Sequence, residues 1–387
     1  MDLTLDIPLR FPHRVAFTDH AFAPLNPLLA DILTPLLTAD PASPSKLLIA
    51  VDQSVAHAFP ELQHDLSTYL QHHQLPTPVA FRTLPGGEAV KSDLTNLESL
   101  LADLQRHALC RHSVVLAIGG GAVLDTVGFA TAVTHRGLRL VRMPTTTLAQ
   151  GDSGVGVKNA VNMFGAKNLI GTFTVPHAVL NDRHFLTTLP DHAWRDGLAE
   201  VVKVAILKKD PDLFDTVEQR ADALARREPC SDSGLWERSA ELHLRHIAQG
   251  GDPFEMTSAR PLDFGHWSAH KLEELSNHTI SHGHAVAIGL ALDTHLAAEL
   301  GLLPRSTADR ITALLARLGF PLHHPLLHHP DLPQGLEAFR QHLGGQLTLT
   351  LPTAIGQPTE IHEVPDAVLQ RSLTILQTSN TSASRTQ

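Results

Sequence analysis

Cysteine and tyrosine are scarce in this 387-residue chain, and it has no long apolar run. Two cysteines, Cys110 and Cys230, are too few for a disulfide framework and point to a reducing, cytoplasmic setting. No stretch of about 18 uninterrupted apolar residues occurs, which excludes a spanning helix, and no membrane partner is expected. The first residues, MDLTLDIPLRFPHR, lack a basic segment followed by an apolar one, so no signal peptide is expected. Basic runs are missing too. With 30 Lys and Arg against 40 Asp and Glu, the net charge of −10 argues against nucleic acid as the main partner. Apolar residues make up 43% and charged ones 18%, a globular composition. At about 150 residues per domain the length suits two to three domains, with a core large enough to need neither disulfides nor a structural metal.

Histidine is abundant instead, at 26 residues. The sequence pI of 6.2 lies where histidine titrates, so net charge changes steeply between about pH 6 and 7. Such a chain forms histidine pairs by chance, and a metal site has to be argued from context.

The first half alternates short apolar runs with helix-like stretches. Residues 46–52 (KLLIAVD), 78–84, 113–119 (SVVLAIG) and 138–143 read as strands, and 178–180 lies in a fifth. A helix follows the third, through about Thr134. Strand, helix, strand at this spacing implies a mostly parallel α/β sheet. From about Leu189 the pattern becomes helical, as in 193–207, 235–249 and 285–300. The expected division is an α/β domain over 1–185, a mainly helical domain over 186–376 and a disordered polar tail over 377–387.

Gly119, Gly120 and Gly121 link the third strand to its helix and run on to Asp125. Glycines in such a turn let the backbone approach a phosphate while helix N–H groups point at it. This is not the Rossmann fingerprint, since its third glycine would fall at Leu124. Asp52, at the end of the first strand, suits a ribose hydroxyl or equally a helix N-cap. Glu88 and Lys91, three apart after Pro85-Gly-Gly, read as a capped helix start with a surface ion pair, or as ligand contacts. Residues 144–171 have little apolar periodicity but hold Thr145, Thr146, Asp152, Lys158, Asn162, Lys167 and Asn168. A long irregular segment with well-separated lysines favours a functional loop. In the second half Glu200 and Lys203 share a helical face among apolar neighbours, and a buried carboxylate needs a partner. His266 and His270 are spaced i, i+4, and His282 follows sixteen residues after His266. One Glu and two His form a reasonable open zinc triad.

Taken together, PGGEAVK, GGGAVLD, HRG, PTTTLAQGDSGVGVKNAVN, KNLIG, FLTTLP, GLAEVVK, GHWSAH and HGHAVAIG, in this order over about 45–300, resemble the dehydroquinate synthase-like family of sugar phosphate cyclases. The resemblance implies an α/β NAD-binding domain, a helical metal-binding domain, an active site in the cleft between them and a homodimer. It implies metal ligands Glu200, His266 and His282 for zinc or cobalt. It implies NAD contacts at Asp52, Glu88, Lys91, Gly119, Gly120, Gly121, Asp125, Thr145, Thr146, Phe185 and Thr188. Asp152, Lys158, Lys167, Asn168, Lys203 and His270 are implied to line the substrate pocket. Of these, Lys158, Asn168 and His270 would hold the phosphate, with Arg136 added from the partner subunit. The implied chemistry is transient oxidation of a carbinol, loss of phosphate, return of the hydride, ring opening and aldol closure to a carbocycle. Its net reaction is that of a lyase.

The chain departs from the pattern of authentic dehydroquinate synthases in one cluster. His243 stands in place of a lysine, Asp263 in place of an asparagine and Ser54 in place of an asparagine. The family's arginine sits one position before Arg260, and Arg340 or His342 stands near its C-terminal lysine. Replacing lysine by histidine removes a permanent cation, and Asp263 repels a carboxylate. These changes predict a carboxylate-free heptulose phosphate such as sedoheptulose 7-phosphate, giving a cyclitol. Asp at this position also occurs in 2-epi-5-epi-valiolone synthases, although His270 is kept here. The competing readings are 3-dehydroquinate synthase itself, a glycerol-dehydrogenase-like NAD oxidoreductase, and a non-catalytic descendant with a binding role.

Overall fold

In a computed structural model the five apolar runs read as strands, joined by a sixth strand near the N-terminus, form one sheet. The structure describes the chain apart from Pro8, residues 39–44, Lys209, residues 251–253 and 255–260, Leu343 and residues 384–387. Strands β1 (Arg14–Thr18), β2 (Leu47–Asp52), β3 (Ala80–Leu84), β4 (Val114–Gly119) and β5 (Arg139–Pro144) precede a hairpin of β6 (Lys158–Met163) and β7 (Ala166–Phe173). Strand β8 (Ala178–Asp182) then completes a sheet in the order β1-β8-β5-β4-β2-β3, with every neighbouring pair parallel. Strands β2 and β4 are buried along their whole length, as expected of a parallel sheet covered by crossover helices. The connections leave β2 in opposite directions, to β3 on one side and then to β4 on the other. Ligands of such sheets bind beyond the C-terminal ends of the strands at this reversal. Here those ends carry Asp52 and the 119–121 glycine turn.

The described chain forms two compact units. One is Met1–Thr145 with Gly154–Thr188, and the other is Thr146–Ser153 with Leu189–Gln387. The segment Thr146–Ser153, assigned from sequence to the first domain, thus belongs to the second. The second unit is helical except for the hairpin β9 (Leu349–Ala354) and β10 (Gln357–Ile361). Two of its helices, Asp191–Leu207 and His282–Glu299, are buried on nearly every side.

Two expectations are corrected. Residues 144–171 are not an irregular loop: they form a π-helical turn, Ala149–Ser153, and most of the β6–β7 hairpin. The hairpin escapes a periodicity reading because β7 is exposed on both faces and shows no alternation. Of the tail expected over 377–387, residues 377–383 belong to helix Asp366–Ala383, and 384–387 lie outside the described residues. Val368, Leu369, Leu373 and Leu376 bury one face of that helix and carry it into the polar stretch. Among the described residues no helix is long and apolar enough to cross a membrane.

Candidate functional site

Helix Asp191–Leu207 takes Glu200 and Lys203 into the core of the second unit, with Glu200 only 1% exposed. Gly283, at the start of helix His282–Glu299, closes on this helix at Asp196, one turn before Glu200. A Cβ on Gly283 would lie 2.4 Å from the Asp196 backbone. Gly283→Ala is therefore expected to lower stability by about 1–3 kcal/mol through overpacking, measured by urea unfolding. This closure brings His282 Nε2 to 3.7 Å from Glu200 Oε1, while His266 Nε2 lies 3.6 Å from the same oxygen. Ligand atoms of all three lie within 4.8 Å of one another.

The imidazoles are oriented by their other nitrogens. His266 Nδ1 lies 2.9 Å from the Phe264 carbonyl oxygen, and His282 Nδ1 lies 3.2 Å from Glu273 Oε2. An acceptor at Nδ1 places the proton there and turns the Nε2 lone pair toward the shared point, as second-sphere partners do at zinc sites. Glu200 Oε1 is buried and accepts no hydrogen bond. A buried carboxylate oxygen beside two imidazole Nε2 atoms suits a divalent cation. His270 is exposed beside the triad, its ring centroid 5.5 Å from that of His266 and 6.1 Å from that of His282.

Lys203 Nζ contacts Glu200 Oε2 and lies 3.9 Å from Asp152 Oδ1. Burial disfavours the Lys203 ammonium, but Asp152 and Glu200 more than offset it and raise its pKa. Burial likewise opposes ionisation of Glu200 and Asp152, and the Lys203 charge pulls both below the usual carboxylate range. Asp152 reaches this pocket because Thr147 Oγ1 donates to the Trp194 carbonyl at 2.8 Å. Gly197 leaves room for that contact, since a Cβ there would lie 2.6 Å from Thr147. His243 Nδ1 lies 2.8 Å from Asp152 Oδ1, so the residue replacing the family's lysine is engaged by an acid. Asp263, in the turn Pro261–Asp263, keeps its buried Oδ2 without a hydrogen bond and adds a further negative charge near Lys203. Arg260 lies outside the described residues.

In the first unit the glycine turn opens helix Gly121–Val133. Its N-cap, Gly120, offers no side-chain cap, so the first N–H groups remain available to an anion. Positive φ is not what requires glycine here; Gly119 is needed because a Cβ would sit 3.0 Å from those of Asp52 and Val123. Asp52 caps the short helix Gln53–Ala58 by accepting from Ser54 N–H at 2.8 Å. Lys91 is buried, not on the surface, and donates to Asp125 at 2.7 Å and to Asn168 Oδ1. Glu88 Oε1 accepts from Asn162 at 2.8 Å, and Asn162 Oδ1 accepts from the Asn168 N–H. One network thus gathers Glu88, Lys91, Asp125, Asn162 and Asn168. Thr145 is buried, its N–H on the Gly119 carbonyl, and Thr146 Oγ1 accepts from Ala149 N–H. Phe185 is a core residue packed edge-on against Phe22 and Phe59, and Thr188 stands just after it. Lys158 and Arg136 are exposed, and Lys167 is half-buried.

Sequence reasoning passed over Glu273 and the engagement of His243 by Asp152. Glu273 follows His270 by three residues on one helix, the single local signal of a shared face.

Residues 81–196 match the family described as 3-dehydroquinate synthase N-terminal, and residues 197–342 match 3-dehydroquinate synthase C-terminal. The chain is 36% identical over 370 residues to a 2-epi-5-epi-valiolone synthase of Streptomyces glaucescens, covering 94% of this chain and 91% of the relative. It is 39% identical over 293 residues to a 2-epi-valiolone synthase of Actinosynnema mirum, covering 74% and 75%. Among solved structures it is similar to ValA, a 2-epi-5-epi-valiolone synthase from Streptomyces hygroscopicus subsp. jinggangensis with NAD+ and Zn2+ bound. That similarity has a TM-score of 0.85 at 28% identity and covers 97% of this chain and 100% of that one.

Proposed function

We propose that this chain, which belongs to the dehydroquinate synthase-like family, is an NAD- and divalent-metal-dependent sugar phosphate cyclase that converts a carboxylate-free heptulose phosphate, sedoheptulose 7-phosphate, into a cyclitol. The observation that carries the reading is the orphaned Glu200 Oε1 facing two imidazoles whose Nδ1 atoms are already engaged. Glu200, His266 and His282 hold a zinc or cobalt ion, and the 119–121 turn with Asp52 holds the NAD. Bound there, the ion would polarise the reacting alcohol and ketone oxygens and the NAD would supply reversible hydride chemistry with no net oxidation.

This chain's own residues bind and orient the substrate. Lys158 and Asn168 of the first unit and His270 of the second are the phosphate-binding residues, Lys167 is a further substrate residue of the first unit, and Arg136 is supplied by the partner of a homodimer. The acidified C–H beside the ketone loses its proton to the phosphate, its electron pair forms a C=C bond, and the C–O bond to phosphate breaks with its pair leaving on phosphate, where cationic side chains stabilise the departing charge. Asp152 and Lys203 face the sugar hydroxyls. Asp263 Oδ2 accepts from a substrate hydroxyl where dehydroquinate synthase meets a carboxylate, and His243, held by Asp152, offers that region no permanent cation. Two features support a cytoplasmic homodimer: free, exposed thiols at Cys110 and Cys230, and exposed apolar side chains at Phe164, Leu169 and Phe173 on the β6–β7 hairpin.

The test is a substrate screen with NAD and zinc or cobalt. Sedoheptulose 7-phosphate should release inorganic phosphate without net NADH and give a product lighter by the elements of phosphoric acid. Turnover of only the carboxylate-bearing heptulosonate phosphate would make the protein a 3-dehydroquinate synthase. Stoichiometric NADH from a polyol would make it an oxidoreductase.

A further inference from the structure

His266 is the first residue of helix His266–Leu275 and follows Gly265, whose φ of +78° is cheap only for glycine. No side chain caps this helix start, so the junction carrying a proposed metal ligand is not held from within. It is held from helix His282–Glu299. Asp293, 1% exposed, accepts from the Gly265 N–H through Oδ2 at 2.8 Å and from the Trp267 indole Nε1–H through Oδ1 at 2.7 Å. The two donors flank His266 in the chain. Gly289, one turn before Asp293, lets the elements close, since a Cβ there would lie 1.9 Å from the Gly265 carbonyl oxygen.

Asp293 is costly where it stands. Its neighbours Leu290, Leu292 and Leu296 are fully buried, and no cation pairs with it among the described residues. Burial pushes its carboxyl up to about 7, against the hydrogen bonds from Trp267 and Gly265. Packing alone gives no reason for a carboxylate at this position. Asparagine cannot replace it, because an amide nitrogen would face an N–H donor at one of the two contacts.

We propose that Asp293 is a positioning residue for the metal, fixing residues 265–267 so that the His266 Nε2 lone pair is presented to the point shared by Glu200 and His282. This rests on the reading of Glu200, His266 and His282 as metal ligands. Asp293 touches neither ion nor substrate, so its effect runs through the geometry of His266.

Metal-free, full-length protein titrated with zinc against a chromophoric chelator, and with cobalt for its visible spectrum, tests it. Asp293→Asn should weaken zinc binding about 10- to 100-fold and shift the cobalt bands, with NAD affinity and far-ultraviolet circular dichroism unchanged. Trp267→Phe, which removes one of the two donors, should weaken zinc binding in the same direction by less. A folded Asp293→Asn protein with wild-type zinc affinity and cobalt spectrum overturns the proposal. If Asp293→Asn does not fold, wild-type behaviour of Trp267→Phe overturns it. Wild-type protein that takes up neither ion overturns the metal reading itself, and this inference falls with it.

Discussion

His266→Ala is expected to abolish metal-dependent turnover while leaving NAD affinity intact. On the proposed reading the substitution removes one of three metal ligands, and two alone, Glu200 and His282, would hold zinc poorly. It also leaves Glu200 Oε1 facing an empty corner, with a single imidazole near it. The loss of zinc affinity should exceed the roughly 100-fold that changes to second-sphere partners cause. Phosphate release from sedoheptulose 7-phosphate, followed alongside NAD binding by fluorescence, measures both halves. Undiminished turnover would place the metal, or the chemistry, elsewhere.

The largest effect on stability is expected at Lys203. This side chain is 3% exposed and sits between Glu200 and Asp152, with Asp263 close enough to act on it. Lys203→Met leaves these carboxylates in one buried pocket without their cation. Breaking a buried pair from one side costs about 3–5 kcal/mol. In the wild-type protein the Lys203 charge keeps Glu200 and Asp152 below their ordinary pKa values. Their contribution to stability is therefore present above the unfolded carboxylate pKa and is lost only as pH falls through the lowered folded values. In the variant burial acts unopposed by Lys203, so protonation relieves the pocket and the stability gap should narrow on acidification. Urea unfolding of metal-free protein at pH 7 and pH 5 checks this. A gap below about 1 kcal/mol at pH 7, or one unchanged by pH, contradicts the account.

Much of the fold could be read from the chain because its central strands are buried on both faces. Runs such as LLIAVD and VVLAIG need no alternation to be recognised. The missed elements lack that signal. Strand β1 (RVAFT) is only half-buried at the sheet edge, β6 is mostly polar in sequence, and β7 is largely exposed. The helical tail was hidden because propensity at 377–383 is weak, while the face that anchors its helix lies upstream at Val368, Leu369 and Leu373.

The site divides differently. In a chain with 26 histidines, spacing could not single out His266 and His282, and the resemblance carried that assignment. What spacing could never show is which side chains meet across helices. Asp293 lies 28 residues from Gly265, and Asp152 is separated from His243 by the whole β6–β7 hairpin, β8 and two long helices.

The most direct test of the central claim is an anomalous difference map from crystals of the full-length protein grown with zinc, recorded at the zinc edge. The account predicts one strong peak per chain at bonding distance, about 2.0–2.2 Å, from a Glu200 oxygen and from Nε2 of both His266 and His282. A peak at another cluster, such as Asp19, His20 and His184, with none at these three residues, would contradict it.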